Sequence, residues 1–319
     1  MNSQLKAFFQ LIRWPNLLMI VFTQMMLNYL VIGHLFKLIH LEMPLASLDF
    51  GLLVLSTVFM AAFGYIFNDV MDEDVDEINK SEKRIIGKKI SRVSGLLAGR
   101  VFLILALAPA LYLSIKLEMI QLFFIHLAIA GGLWYYSIYL KKIILIGNIV
   151  ISLFTGFSVL IVWMYQLVAL RQDPMLMVDA LKITAFIGNV VLLYSVFAFI
   201  ISMIREIVKD MEDVEGDQQT GMKTFIIKFG LNKTKLLTYS LLIMMLSLLS
   251  IAIYISYSYD WQKLAIYLMV AVGIPIIYFF MNLKTAQEKK DFKDLSLLAK
   301  IIMIAGILSM QLFYISYGT

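Results

Sequence analysis

Nine stretches of this chain are long and apolar enough to cross a bilayer, and they dictate most of what it can fold into. They cover residues 17–36, 48–68, 96–115, 119–138, 143–165, 181–204, 236–257, 263–283 and 296–316. A spanning helix needs about 20 mostly apolar residues. Inside lipid no water is present to bond the backbone, so such segments must satisfy their own N–H and C=O groups as helices. The expected fold is all-α, a polytopic membrane protein: a bundle of nine transmembrane helices with cytoplasmic cap loops, forming one domain over 1–319. Composition agrees, because apolar residues make up 61% of the 319, charged residues 15%, and the mean hydropathy is +0.86. A soluble domain carries roughly 25% charged residues, and disorder requires low hydrophobicity, so both are excluded. Pro109 and Pro275 fall inside spans, where buried transmembrane helices accommodate them. The short polar lead with Lys6 and Arg13 precedes an apolar run too long for a cleaved signal peptide, which reads as a retained signal anchor. Cysteine is absent, and His34, His40 and His126 have no metal-ligand spacing.

Basic residues orient such a chain, because cytoplasmic segments carry an excess of Lys and Arg. With the N-terminus inside and nine spans threaded, 22 of the 27 Lys and Arg fall on the cytoplasmic side. The C-terminus is then outside, and a plasma membrane is the expected location. Acidic residues ordinarily show little side preference, yet 16 of 22 share the cytoplasmic face and 13 of those lie within 69–95 and 205–235.

That crowding resolves into two motifs. Asp69, Asp72 and Asp76, preceded by Asn68, are spaced i, i+3, i+7, and Asp210, Asp213 and Asp217 repeat the spacing four spans later. A helix places each set on one face. Three carboxylates on one stripe repel one another unless a cation sits among them. Mg²⁺ is a hard, oxygen-seeking ion that typically bridges one or two carboxylates to substrate phosphates. Two such stripes can hold Mg²⁺ around one diphosphate. Lys80, Arg84 and Lys88 follow the first motif, Arg205, Lys209 and Lys223 surround the second, and Lys141 and Lys142 occupy a third cytoplasmic turn; all are candidates for phosphate oxygens. A calcium loop beginning at Asp72 fails, since Glu77 and Lys83 stand where Gly and Glu are required.

Nine spans together with the runs Asn-Asp-x-x-Asp-x-x-x-Asp at 68–76 and Asp-x-x-Asp-x-x-x-Asp at 210–217 resemble the UbiA superfamily of intramembrane prenyltransferases. Arg13-Trp14-Pro15-Asn16 looks like the family's Arg-x-x-Asn, Asn79-Lys80 with Arg84-Ile85 and Gly87-Lys88 is similar to its Asn-Lys-Pro…Arg-Pro-Ile…Gly-Lys/Arg stretch, and Gly221-Met222-Lys223-Thr224 resembles its Gly-x-Lys-Ser/Thr. Ser81 and Ile85 replace two usual prolines. Tyr136 and Lys141 are five apart where the family has Tyr-x-x-x-Lys, so the roles of Tyr136, Tyr139, Lys141 and Lys142 stay open.

The resemblance implies Mg²⁺-dependent transfer of a polyprenyl group from an isoprenyl diphosphate to a lipophilic acceptor, with diphosphate release. Asn16, Tyr136 and Tyr139 are implied as acceptor or access residues. Neither nucleic acid nor an obligate protein partner is implied. The Arg205-Glu206-Ile207-x-Lys209-Asp210 lead and Leu145-Ile146-Gly147-Asn148 look most like the branch that prenylates geranylgeranylglyceryl phosphate. An aromatic quinone precursor is the alternative acceptor. From other classes, an ion-coupled secondary transporter would place its ionisable groups near the bilayer midplane, not at the span ends. The continuous CDP-alcohol phosphotransferase signature is absent, and a non-catalytic scaffold gives no reason for two matched triplets.

Overall fold

The computed structural model describes residues 3–73 and 84–316. Among them are nine helical spans: α1 Trp14–Leu38, α2 Ser47–Met71, α3 Arg92–Lys116, α4 Gln121–Ile138, α5 Ile146–Leu170, α6 Pro174–Glu212, α7 Leu231–Ser258, α8 Gln262–Thr285 and α9 Lys289–Ile315. Each contains most of the stretch expected from hydropathy. The protein is a multi-pass membrane protein. Its side chains agree, since Leu97, Ile104, Phe124 and Met281 are all about 60% exposed or more, which only lipid makes tolerable on this scale.

The difference from the sequence expectation lies in α6. It is 39 residues long, which at 1.5 Å per residue is about 58 Å, against a hydrocarbon core of about 30 Å. Its last turns, carrying Arg205 to Glu212, therefore run past the apolar stretch as helix. The stretch 205–235, expected as a loop, continues as two short helices, Val214–Gln219 and Phe225–Phe229.

Pro109 sits within an unbroken α3. Pro275 follows a π-helical segment, Leu268–Gly273, inside α8. Proline removes one N–H and crowds the preceding turn, and a wider turn just before it relieves that crowding. A second π segment, Leu27–Ile32, interrupts α1.

The described residues fall into two compact units, one drawn from Met1–Gln24, Pro44–Ile143 and Tyr165–Pro174, the other from Met25–Met43, Ile144–Met164 and Met175–Thr319. In the first, α2 packs on α3 over small residues. A Cβ on Gly95 would stand 2.9 Å from Val70, Ala106 and Ala110 are fully buried, and Ser56 Oγ donates to the Ala106 carbonyl at 2.7 Å. Lipid supplies no hydrophobic drive between helices, so close backbone approach and interhelical hydrogen bonds hold them together. At the other end of this pair Lys116 Nζ lies 2.7 Å from the buried Asp49 carboxylate. An acid in the first turn and a base in the last complement both helix dipoles.

In the second unit α5 and α6 meet at Gly156. Ser195 Oγ donates to its carbonyl at 2.8 Å, and a Cβ there would stand 2.8 Å from the Ser195 carbonyl oxygen. Ser202 Oγ donates to Thr155 Oγ1 at 3.3 Å further along the same antiparallel pair.

Candidate active site

In the first unit, α2 delivers Asn68 and Asp69 on its final turn and ends at Asp72, whose N–H bonds the Asn68 carbonyl. Asn68 Nδ2 donates to Asp72 Oδ2 at 2.9 Å, and Lys141 Nζ donates to Asp72 Oδ1. The lysine side chain is only 8% exposed. A 3₁₀ turn, Leu140–Lys142, follows α4 and carries Lys141 to this position, while Lys142 remains exposed. Of the two adjacent lysines, the first holds the carboxylate.

Asp69 accepts from Arg13 Nη2 at 2.8 Å, and the guanidinium lies 4.9 Å from the Tyr65 ring centroid. Arg13 joins two helices with φ +52, a left-handed conformation uncommon outside glycine, which turns its side chain onto the motif. Asp76 and Lys80 lie outside the described residues. The chain resumes at Arg84 and makes a tight turn in which the Gly87 N–H bonds the Ile90 carbonyl at 2.8 Å. Gly87 has φ +78, and a Cβ would collide with Glu73 Oε1 at 2.5 Å. Only glycine fits both conditions. Glu73 in turn lies 3.5 Å from Arg92. Lys88 is exposed on the turn, Arg84 half-buried.

The second unit holds the other motif. Asp210 is on the last turn of α6, Asp213 caps the helix Val214–Gln219, and Asp217 lies within it. The helical stripe expected from the spacing is interrupted at Asp213, yet the backbone bonds continue through it: Asp213 N–H to Lys209 O at 2.9 Å and Asp217 N–H to Asp213 O at 3.0 Å. Asn148, at the start of α5, donates to Asp210 Oδ2 at 2.9 Å. Arg205 Nη1 donates to Glu206 Oε1 at 2.7 Å. Lys209 is half-buried, and Lys223 is exposed on the segment after Gly221.

Among the described residues no three His, Cys, Asp or Glu side chains converge as a ready-made metal cage. Asn16 is half-buried in the first turn of α1, Tyr136 is half-buried, and Tyr139 is exposed with its ring 5.2 Å from that of Tyr135. The motif spacing does not reveal the partners Arg13, Glu73 and Asn148. Arg13 and Asn148 stand in stretches whose sequence is distinctive; Glu73 has no signal of its own beyond the acidic run.

The sequence pattern described as the UbiA prenyltransferase family matches residues 30–304. The digeranylgeranylglyceryl phosphate synthase of Saccharolobus solfataricus is 28% identical over 76% of this chain and 79% of its own. The synthase of the same name from Methanococcus vannielii is 29% identical over 95% of this chain and 98% of its own. A UbiA homologue from Archaeoglobus fulgidus, whose structure was solved bound to GPP and Mg²⁺, superposes with a TM-score of 0.56 at 18% identity, covering 95% of this chain and 99% of that one.

Proposed function

The chain belongs to the UbiA prenyltransferase family, and from that premise we propose that it transfers a polyprenyl group from an isoprenyl diphosphate to geranylgeranylglyceryl phosphate, releasing diphosphate. The observation that carries the reading is the end-to-end likeness to relatives named for that product, joined to two carboxylate clusters that each stand at the end of a span with their own positioning partners. An aromatic quinone precursor is the acceptor to test against it.

The donor set suits a divalent cation, and Mg²⁺ fits best. All the ligands on offer are hard carboxylate oxygens, and Asp72 already carries a cationic partner in Lys141. Asp69, Asp72 and Asp76 would hold the metal at one cluster, and Asp210, Asp213 and Asp217 at the other. When bound, the metal neutralises charge building on the departing diphosphate. Lys80, Arg84, Lys88, Lys141, Lys142 and Lys223 supply donors for the diphosphate oxygens. The C1–O bond of the allylic diphosphate breaks and its electron pair leaves with the diphosphate. The acceptor hydroxyl then bonds C1 and its proton passes to an oxygen of the released diphosphate. Water must be kept from the allylic cation, which aromatic ring faces would stabilise.

The family's active-site side is the cytoplasmic side in this reading, with the N-terminus inside, because 22 of 27 basic residues gather there. The proposal is tested by measuring Mg²⁺-dependent, acceptor-dependent diphosphate release by the purified protein and by Asp72→Ala and Asp213→Ala. Both variants are expected to insert and to fall to background, Asp72→Ala being assayed below its own melting temperature because it also loses the Lys141 ion pair. Near-normal turnover in either one contradicts the assignment.

A further inference from the structure

The second unit contains a cation that neither acidic motif includes. Helices α6 and α9 run side by side and antiparallel: Tyr194 Oη and Ser309 Oγ are 2.7 Å apart, and a Cβ on Gly306 would stand 3.4 Å from the Phe197 ring. A step toward the C-terminal end of α6 is thus a step toward the N-terminal end of α9. Continuing that register brings the buried Met203 and Ala299 to the same level, and sets Lys300 within one turn of Arg205. Lys300, half-buried, lies within electrostatic reach of Arg205, Lys209 and Glu206.

Glu206 accepts from Arg205 Nη1 at 2.7 Å and offsets one of these positive charges, and Asp210 lies within electrostatic reach of Lys209, so Lys300 is the cation least provided for. Arg205 Nε is buried and has no hydrogen-bond partner among the described residues. A buried donor left unmade is costly, and Lys300 adds a further positive charge beside Arg205 and Lys209. One anion answers both problems, and a phosphate matches a guanidinium edge flanked by ammonium groups. The position along α6 selects which phosphate. Arg205 precedes Asp210, the first carboxylate of the motif, by five residues, about 7.5 Å of helix, and lies toward the apolar part of the span. A diphosphate at the motif's outer carboxylates, Asp213 and Asp217, would leave the Arg205 end of this stretch to the phosphate of a second molecule.

We propose that Arg205, Lys209 and Lys300 bind the phosphate of a phosphate-bearing lipid acceptor, with Lys300 a specificity-determining residue. This rests on the reading of the function given above and identifies how that acceptor is chosen. The test compares wild type, Lys300→Gln and Lys300→Arg, each checked for thermal stability. KM is measured for geranylgeranylglyceryl phosphate and for geranylgeranyl diphosphate, and the corresponding alcohol, geranylgeranylglycerol, serves as a competing acceptor. Lys300→Gln is expected to raise the KM for the phosphorylated acceptor about ten- to a hundredfold, leave the KM for the diphosphate in place, and narrow the preference for phosphate over alcohol by the same factor. Lys300→Arg is expected to recover most of the loss. A rise in the diphosphate KM instead, or an unchanged acceptor preference in a variant of an active wild type, overturns the proposal and leaves the function standing. A wild type that accepts no phosphorylated acceptor overturns the function itself, and this proposal with it.

Discussion

Lys141 Nζ donates to Asp72 across 69 positions of sequence, in a pair whose lysine side chain is 8% exposed and whose aspartate is 19% exposed. Removing one partner of such a pair leaves an uncompensated charge and costs about 3–5 kcal/mol. Lys141→Met should therefore melt well below wild type in EDTA. Mg²⁺ should recover part of the deficit, because a metal at Asp72 replaces the lost charge. Thermal unfolding in detergent, with and without Mg²⁺, checks this; identical Mg²⁺ dependence in the two proteins contradicts it.

Asn148 fixes Asp210 through one hydrogen bond of 2.9 Å. Groups that orient a metal ligand typically change metal affinity ten- to a hundredfold when removed. Asn148→Ala should raise the Mg²⁺ concentration for half-maximal turnover by roughly that factor while saturating metal restores most of the rate. An unshifted Mg²⁺ titration contradicts the role.

Two glycines at helix crossings should respond differently to a methyl group. At Gly156 the new Cβ meets the Ser195 carbonyl oxygen at 2.8 Å, a backbone atom, whereas at Gly95 it meets the Ile86 Cδ1 and Val70 Cγ2 methyls at 2.8 and 2.9 Å. Side chains can rotate away and backbone cannot. Gly156→Ala should lose about 1–3 kcal/mol and Gly95→Ala less, read from thermal unfolding of both. The reverse order contradicts the packing described.

The orientation is best probed at Lys89, which is exposed beside Gly87; Gly87 itself cannot take a side chain without strain. A cysteine at Lys89, in a chain that has none of its own, should react with a membrane-impermeant maleimide only from the cytoplasmic side. Labelling from outside contradicts the topology.

The nine spans were legible because a bilayer leaves a segment of 20 apolar residues no alternative to helix. The carboxylate motifs were legible for a similar reason: charge is scarce here, so its clustering stands out. What escaped is what depends on distant contacts. Arg13 with Asp69, Asn148 with Asp210 and Lys141 with Asp72 join residues 56, 62 and 69 positions apart, and no local pattern encodes them. The five-residue spacing from Tyr136 to Lys141 left two lysines equivalent; the 3₁₀ turn at Leu140–Lys142 distinguishes them. The break at Asp213 escaped because its carboxylate spacing is the same in a continuous helix and in two helices joined by one capping residue.

Prenyl transfer to a phosphate-bearing glyceryl lipid can be read directly from its product. Radiolabelled geranylgeranyl diphosphate is supplied to the purified protein with Mg²⁺ and a panel containing geranylgeranylglyceryl phosphate, 4-hydroxybenzoate and a dihydroxynaphthoate. A labelled, phosphate-bearing di-prenyl ether lipid that disappears with EDTA is expected. Label appearing on an aromatic ring, or no transfer to any acceptor, would contradict it.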